Sequence, residues 1–591
     1  MGEKWILETK KADFSALSRD LGISPLVVRC MVNRDLTDIG AMRQYLRGTV
    51  KDMYPPLQMK DVEKAVSLLT GAEDAKVAVV SDFDCDGIFS GYILWRAFQR
   101  VGLDTKIYTP DRVQEGYGLN ERIIEEARGE GRTVLVTCDN GIAANAQVDY
   151  AKSMGMTVIV TDHHEIQEKM PSADAVIDPK REDETYPFDG LCGAGVAYKL
   201  ICALFDAVGI SEEEKEAFLP YVAVATVADV MELRDENRII VKTGLNMLEK
   251  VENPGLKALL QVQELWGRKL NAAHIGFVIG PCFNAAGRIA TVKESFDLLM
   301  EQDTEAAREQ AGRLKEINEE RKKMTEEGAE KAFAAVEEKR CQMREKYPDF
   351  GGLPPVLIIL LEDCHESLVG IIAGRVKERY HHPVIVFTSV GDGRVKGSGR
   401  SIERYHMFEE LMKCKDLMER FGGHKMAAGM TLKKEYLQEL ERRLNREAAL
   451  TAEDFRPVVR IDAAMPVGYV TERLIQELSC MEPFGVGNAK PVFAEQHFRV
   501  LQGRALGREG SVLKLRVENL QGNRCDAILF HGREEFEDFV IREWGERELA
   551  RMYEGKENHL DIALAYYPQV NEYRGVRTIQ IQIVGYCRVK R

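Results

Sequence analysis

From about residue 76 the chain alternates short apolar and β-branched runs (KVAVVS, TKIYT, TVLVTC, TVIVT, DAVI) with stretches of helical spacing (GYILWRAFQRV, NERIIEEARGEG, AANAQVDYAKSMG). Strand-type runs separated by helices predict a parallel sheet with helices on its faces. Sites in such sheets lie beyond the carboxyl ends of the strands. Asp82, Asp84, Asp139 and the triplet Asp162-His163-His164 each follow one of these runs, so they are expected to converge at one sheet edge.

Between about 301 and 346 the pattern becomes a charged rod with one apolar stripe through Ala307, Ala311, Leu314 and Ile317. That spacing predicts a long helix joining two lobes, with an interruption near Gly328. A second α/β unit follows: strand VLIIL, helix LVGIIAGRVKERY, strand PVIVF, then the glycine-rich GDGRVKGSGRS and FGGHKMAAG. Beyond about 457 the texture turns all-β, ending in the period-two run IQIQIVGYCRVK, which suggests a small barrel or sandwich. Residues 1–70 read as short helices and turns without recognisable chemistry. The expected domains are therefore a leader at 1–70 packing on the catalytic core, an α/β domain at 71–300, a connecting helix at 301–348, a second α/β domain at 349–456 and a β domain at 457–591.

Composition narrows this little. At 591 residues the chain exceeds one core, and 45% hydrophobic with 30% charged residues is ordinary for a globular protein. The longest apolar run, Val356 to Leu361, is too short to cross a bilayer, and the opening MGEKWILETKK has neither a basic leader with an apolar run nor the Ser or Thr of a myristoylation signal at Ile6. Twelve cysteines without a CxxC pair give no readable zinc ribbon or redox motif. A cytoplasmic location without membrane attachment is expected. The net charge of −14 argues against indiscriminate adhesion to nucleic acid but leaves room for a local basic channel.

The chemistry begins at SDFDCDG, where Asp82, Asp84 and Asp86 alternate along the chain. An EF-hand would need Glu where Ile93 stands and a helix rather than a strand before the loop, so that reading fails. An Asp-x-Asp phosphatase loop and three solvated loop aspartates both remain open from this stretch alone. Asp139 in TVLVTCDNGI, Asp162-His163-His164 in TVIVTDHHE and Asp229 in ATVADVMEL add carboxylates and imidazoles. Such a mixture suits a pair of Mn²⁺ or Mg²⁺ ions, a device for phosphoryl transfer.

These motifs resemble the DHH phosphoesterase superfamily and, within it, the RecJ-type single-strand-specific 5′→3′ exonucleases. SDFDCDG, TCDNG, TDHH and TVADV are similar to its first four motifs and NAAGR at Asn284 to Arg288 to its fifth. GSGRS and FGGHKMAAG resemble its DHH-associated domain, and EPFGVGN and NEYRG its oligonucleotide-binding barrel. The fold implied is α/β, with DHH and DHH-associated lobes joined by a long helix plus a C-terminal all-β OB-like barrel. The resemblance implies two divalent cations, Mn²⁺ or Mg²⁺, on Asp82, Asp84, Asp139, His163 and Asp229, with Asp139 bridging. Asp162 would hold a histidine from behind, His164 would sit beside the scissile phosphate, and Asp86 would either orient water or form the turn before Gly87. Two departures stand out: Cys282 in place of an Arg, and Val512-Leu513-Lys514 in place of His-Leu-Lys.

For substrate, the resemblance implies single-stranded DNA held by its 5′ phosphate in a cleft between the lobes. Arginine forks suit phosphate, so Arg112, Arg288 and Arg400 are candidates, joined by Ser398 and Asn284. Arg400 has the alternative of pairing with a carboxylate. His365 and His424 occupy motif positions but can equally be packed histidines, and Tyr117 can stack on a base or plug a local gap. The segment 561–591 carries five Lys/Arg against two Asp/Glu, fitting a barrel that tracks a single strand. The role implied is DNA repair and recombination by a monomer, beside a single-strand-binding protein and a helicase. The rival readings are a DHH phosphoesterase of short oligoribonucleotides or cyclic dinucleotides, and a non-catalytic DNA-binding replication scaffold.

Overall fold

The computed structural model describes residues 3–71, 75–112, 115–166, 169–507, 510–573 and 575–589. Met1 and Gly2 of the opening stretch, Val113 and Gln114 of TPDRVQEGYGL, Arg574 of NEYRG, and Lys590 and Arg591 of the basic terminal segment lie outside them. The chain forms two compact units, one comprising Leu7–Ile317 with Arg460–Arg591 and the other Met1–Ile6 with Asn318–Val459.

The first unit contains a five-stranded, all-parallel sheet in the order Asp104–Tyr108, Lys76–Ser81, Val134–Cys138, Thr157–Thr161, Ala175–Ile177. Ala78, Val80, Leu135, Val158 and Val160 are buried against helices Glu121–Gly129 and Asn145–Ser153. Their neighbours Val77, Val79, Val134, Val136 and Ile159 enter the larger core with helices Cys85–Arg100 and Gly193–Val208. Both faces are covered, which is why these strands read as continuous apolar runs rather than alternating ones. Strand order reverses between Lys76–Ser81 and Val134–Cys138, and a crevice opens at such a switch point.

The same unit holds a closed five-stranded barrel. Strands Phe493–Leu506, Val512–Asn519, Arg524–Leu529, Val576–Arg588 and Asp561–Tyr573 pair in that order, and the last returns to the first. The apparent all-β texture conceals three helices, Glu472–Ser479, Arg533–Trp544 and Glu546–Glu554. Phe536 and Phe539 of the second lie edge-on or tilted against Tyr586, with ring centroids 4.9 and 5.0 Å away. The leader divides its packing. Met59, Val62, Ala65, Val66 and Leu69 lie in the same core as the parallel sheet, whereas Leu21, Val27, Val28, Met31 and Met42 share a core with the barrel residues Phe493, Phe498 and Leu515. A short strand, Lys4–Leu7, precedes the leader's helices.

The rod is one unbroken helix, Thr304–Met343, and the interruption expected at Gly328 is absent. A Cβ on Gly328 would lie 2.5 Å from Ile372 Cδ1, so this glycine admits a neighbouring helix rather than breaking its own. The predicted stripe is buried at Ala307, Ala311, Leu314 and Ile317. The second unit carries a five-stranded mixed sheet in the order Met418–Gly423, Ala427–Lys433, Arg394–Arg400, Val384–Ser389, Leu357–Leu360. Helix Val369–Tyr380 packs on it. Among the described residues no helix is long and apolar enough to cross a membrane.

Candidate metal centre

Three of the sheet's strands end in acidic residues that meet at its carboxyl edge. Asp82 follows Lys76–Ser81, Asp139 follows Val134–Cys138, and Asp162 follows Thr157–Thr161. Asp229 arrives differently: it caps the buried helix Leu219–Ala228. Three overlapping groups have ligand atoms within 4.8 Å of one another: Asp82, Asp84 and Asp139; Asp86, His163 and Asp229; and Asp139, His163 and His164. All seven predicted catalytic residues, counting Asp162, are thus brought to one place.

Local structure fixes each of them. Asp84 is the N-cap of helix Cys85–Arg100, accepting from the Gly87 amide at 3.1 Å. The helix begins earlier than its apolar pattern, so Asp86 lies in its first turn and no turn precedes Gly87. Asp86 instead accepts the amides of Gly193 (2.6 Å) and Ala194 (2.8 Å), at the N-terminus of Gly193–Val208, where a helix favours negative charge. Asn284 Oδ1 accepts the Cys85 amide at 2.8 Å. A Cβ on Gly287 would stand 2.2 Å from the Phe83 carbonyl oxygen, and one on Gly193 would stand 2.6 Å from Asp139 Cβ. These glycines let two helices close onto the aspartate loops.

His163 Nε2 lies 3.1 Å from Asp139, 3.6 Å from Asp86 and 3.8 Å from Asp229. Asp162 Oδ1 accepts the His163 amide at 2.7 Å and the His164 amide at 3.2 Å, and lies 2.7 Å from His164 Nδ1. The histidine imidazole it holds is therefore that of His164. Its other oxygen accepts the Ile142 amide at 2.9 Å.

The electrostatics are those of a negative cluster short of positive charge. Burial, then the neighbouring carboxylates, pushes Asp82 and Asp139 well above the ordinary carboxylate range, Asp229 to about 8 and Asp86 to about 6. Burial likewise lowers His163 to about 3. Burial is the largest influence on His164 and opposes its charge, but the Asp162 hydrogen bond together with the charges of Asp162, Asp229 and Asp86 outweighs it and raises His164 to about 9. At Asp162 burial is again the largest influence, and the His164 bond and charge, the Ile142 amide and His163 together outweigh it and lower the pKa. Both Asp82 oxygens are buried without a hydrogen-bond partner. Unsatisfied buried oxygens beside three further carboxylates and one neutral imidazole fit hard divalent cations.

The sequence reading left Asp86 between two roles and missed Asp178 altogether. Asp86 faces His163 as part of the cluster. Asp178 follows the fifth strand, is fully buried, and is raised to about 7 by burial. The rule that picked Asp82, Asp139 and Asp162, a carboxylate directly after an apolar run, would have found Asp178 after DAVI.

The substrate candidates separate into two groups. Arg112 places its guanidinium 4.5 Å over the Phe83 ring and its charge acts on Asp82. Tyr117 donates its hydroxyl to the Asp139 carbonyl at 2.5 Å, with its ring edge-on to Phe83 and His164. It therefore braces the Asp139 backbone while half its surface stays exposed. Arg288 ends the helix Gly280–Ile289 that carries Asn284. Cys282, on the same helix, is buried and takes a hydrogen bond from Gln263 Nε2 at 3.2 Å.

His365, Ser398, Arg400 and His424 belong to the other unit. His365 caps the turn Glu366–Leu368, its Nδ1 2.8 Å from Ser367 Oγ. His424 is exposed in the hairpin turn after Met418–Gly423. Arg400 donates to Ser398 Oγ at 3.0 Å and to the Gly399 carbonyl at 2.8 Å. Among the described residues no carboxylate pairs with it, and burial lowers its pKa.

Comparison with known proteins places these motifs in order along the chain. Family models match residues 76–226 (DHH family, N-terminal domain), 354–449 (DHHA1 domain) and 461–585 (RecJ OB domain). The single-stranded-DNA-specific exonuclease RecJ of Escherichia coli is 35% identical, over 95% of this chain and 95% of its own. The protein of the same name from Bacillus subtilis is 32% identical over 100% of this chain and 74% of its own. A crystal structure of RecJ with Mn²⁺ from Thermus thermophilus superposes with a TM-score of 0.79 at 24% identity, covering 100% of this chain and 80% of that one.

Proposed function

The chain belongs to the RecJ family, whose curated members are named single-stranded-DNA-specific exonucleases, and from that premise we propose that it hydrolyses single-stranded DNA from the 5′ end, releasing 5′-mononucleotides. The observation that carries this reading is the gathering of buried carboxylates and His163 around the unpartnered Asp82 oxygens at the sheet's switch point. Asp82, Asp84, Asp139, His163 and Asp229 would hold two divalent cations, Mn²⁺ or Mg²⁺. When bound, such ions supply Lewis acidity to the phosphodiester and lower the pKa of the attacking water.

The remaining steps belong to side chains. His164, held by Asp162, donates to the scissile phosphoryl group and passes its proton to the departing 3′ oxygen. Asp86 holds the Gly193–Val208 helix against the cluster, and Asn284 holds the loop of Asp82 and Asp84. In the unit of the mixed sheet, Arg400 and Ser398 are assigned to the terminal phosphate, with His365 and His424 as further DNA contacts; in the unit of the parallel sheet, Arg112 and Arg288 are assigned to DNA phosphate and Tyr117 to a base-side surface. The barrel takes the strand by charge and stacking. A phosphoesterase of dinucleotides has no use for such a barrel, and the complete acidic set opposes a non-catalytic scaffold. We place the protein in the cytoplasm, as a monomer acting in DNA repair and recombination beside a single-strand-binding protein and a helicase.

A time course on end-labelled DNA tests the reading. With Mn²⁺ or Mg²⁺ the expected products are mononucleotides from single strands and none from blunt duplex, with no cleavage in chelator. Chelator-resistant cleavage, or preference for dinucleotides over long strands, would overturn it.

A further inference from the structure

The carboxylate Asp229 hangs on a strained turn. Val230 next to it has φ of 61°, a left-handed conformation that β-branched residues rarely adopt. The turn is closed by the Val230 amide on Val227 and the Met231 amide on Thr226, a helix end that normally places glycine where Val230 stands. Val230 itself is exposed, so the turn is not held by packing on its side chain; the barrel's EPFGVGN loop, Glu482 to Asn488, instead meets the chain just beyond it, at Glu232 and Leu233. The Leu233 amide donates to the Val486 carbonyl at 2.7 Å. A Cβ on Gly485 would lie 2.7 Å from Leu233 Cδ1, and one on Gly487 would lie 3.0 Å from Glu232 Cβ. A third fastening comes from Arg238, on the helix Asp235–Leu248 that follows the turn. Only 2% exposed, it donates to the carbonyls of Tyr45, Cys480, Met481, Glu482 and Pro483 and lies 3.8 Å over the Tyr45 ring. A buried guanidinium spent on five carbonyls and no carboxylate is costly unless the geometry it fixes matters.

We propose that the Glu482–Asn488 loop and Arg238 are positioning elements for Asp229, so that the barrel sets the metal affinity of the catalytic sheet as well as binding DNA. The inference rests on the reading of Asp229 as a metal ligand. Neither the loop nor Arg238 is a catalytic residue.

Mn²⁺ binding to the full-length protein without DNA, followed by paramagnetic resonance, tests it. Arg238→Ala leaves five buried carbonyls without their donor and can abolish folding by itself, and at Gly487, whose φ is 71°, an alanine strains the backbone by itself, so the decisive variant is Gly485→Ala. The Gly485→Ala clash falls on the far end of Leu233, which can move without unfolding the chain. The expected result is Mn²⁺ affinity lowered about 10-fold or more, as is usual when the support of a ligand is lost, with metal-free Tm and DNA affinity in chelator close to wild type. Mn²⁺ isotherms that superpose on wild type overturn the proposal, and so does a parallel loss of Mn²⁺ affinity, DNA affinity and Tm. A wild-type protein that binds no Mn²⁺ overturns the nuclease reading instead.

Discussion

The carboxyl edge of the parallel sheet and the Arg400 corner of the mixed sheet are opposites. At the first, buried carboxylates crowd together, both Asp82 oxygens lack a hydrogen-bond partner among the described residues, and the carboxylates' affinity for protons rises. At the second, a guanidinium is buried without a carboxylate, and its affinity for protons falls. The N-terminus of helix Val369–Tyr380 comes against it so closely that a Cβ on Gly370 would lie 2.9 Å from Arg400 Nη2 and 3.0 Å from Ser398 Oγ. A helix N-terminus adds positive potential where a cation already sits. Each region is electrostatically incomplete: the first lacks positive charge, which divalent cations supply, and the second lacks a negative partner, which on the function proposed above is a phosphate.

The largest effect should come from removing a carboxylate. Asp139→Ala or Asp82→Ala should lower the cleavage rate on the order of a thousandfold or more, roughly 4 kcal/mol of barrier, with circular dichroism unchanged. Activity surviving in either would break the cation half of the contrast. Next comes the pH dependence of the metal-free protein. Asp229 at about 8 and His164 at about 9 bind more protons folded than unfolded between pH 6.5 and 8, so stability falls as pH rises through that window. Bound cations neutralise the same carboxylates, so the Tm gain on adding Mn²⁺ should be larger at pH 8 than at pH 6.5. An equal gain at both would mean that the cluster is not where Mn²⁺ acts.

How much of this was legible follows from what each signal depends on. The parallel sheet and its terminal aspartates were readable because strands buried on both faces leave unbroken apolar runs, each stopping where Asp82, Asp139 or Asp162 begins. Asp229 could be picked out but not placed, because the helix Leu219–Ala228 is apolar all round and carries no amphipathic period. Gly328 misled for a related reason: a glycine's conformational cost is local and visible, whereas the close approach of Ile372 that requires it is tertiary and silent in one sequence. The same holds for the leader, whose Val27, Met31 and Met42 announce an apolar face but not its partner in the barrel. Helices Arg533–Trp544 and Glu546–Glu554 were overlooked because the alternating strands around them dominated the texture.

A middling effect is expected at the opposite pole. Arg400→Ala should raise KM for 5′-phosphorylated single strands about 10- to 100-fold, the worth of a charge-assisted hydrogen bond. Arg400→Lys should recover part of it, because an ammonium keeps the charge but not the fork. DNA with a 5′ hydroxyl supplies the control. If it loses as much as the phosphorylated strand, Arg400 serves the fold or another phosphate, and the symmetry between the two regions fails.

The smallest effect sharpens the contrast by locating charge that is neither buried nor frustrated. On the barrel's outer face Arg504 stands opposite Lys514, and the exposed Arg516 lies two residues further along the same strand. The alternate residues Leu513, Leu515 and Val517 point into the barrel core, which forces the basic ones outward. Solvated cations of this kind cost the fold little and bind phosphate only weakly one at a time. Arg504→Ala and Arg516→Ala should therefore each weaken single-strand binding a few-fold and lower the salt slope by a little under one, while leaving Mn²⁺ affinity unchanged. A change in metal affinity from either would show that barrel charge reaches the acidic centre generally, and not through the Glu482–Asn488 loop.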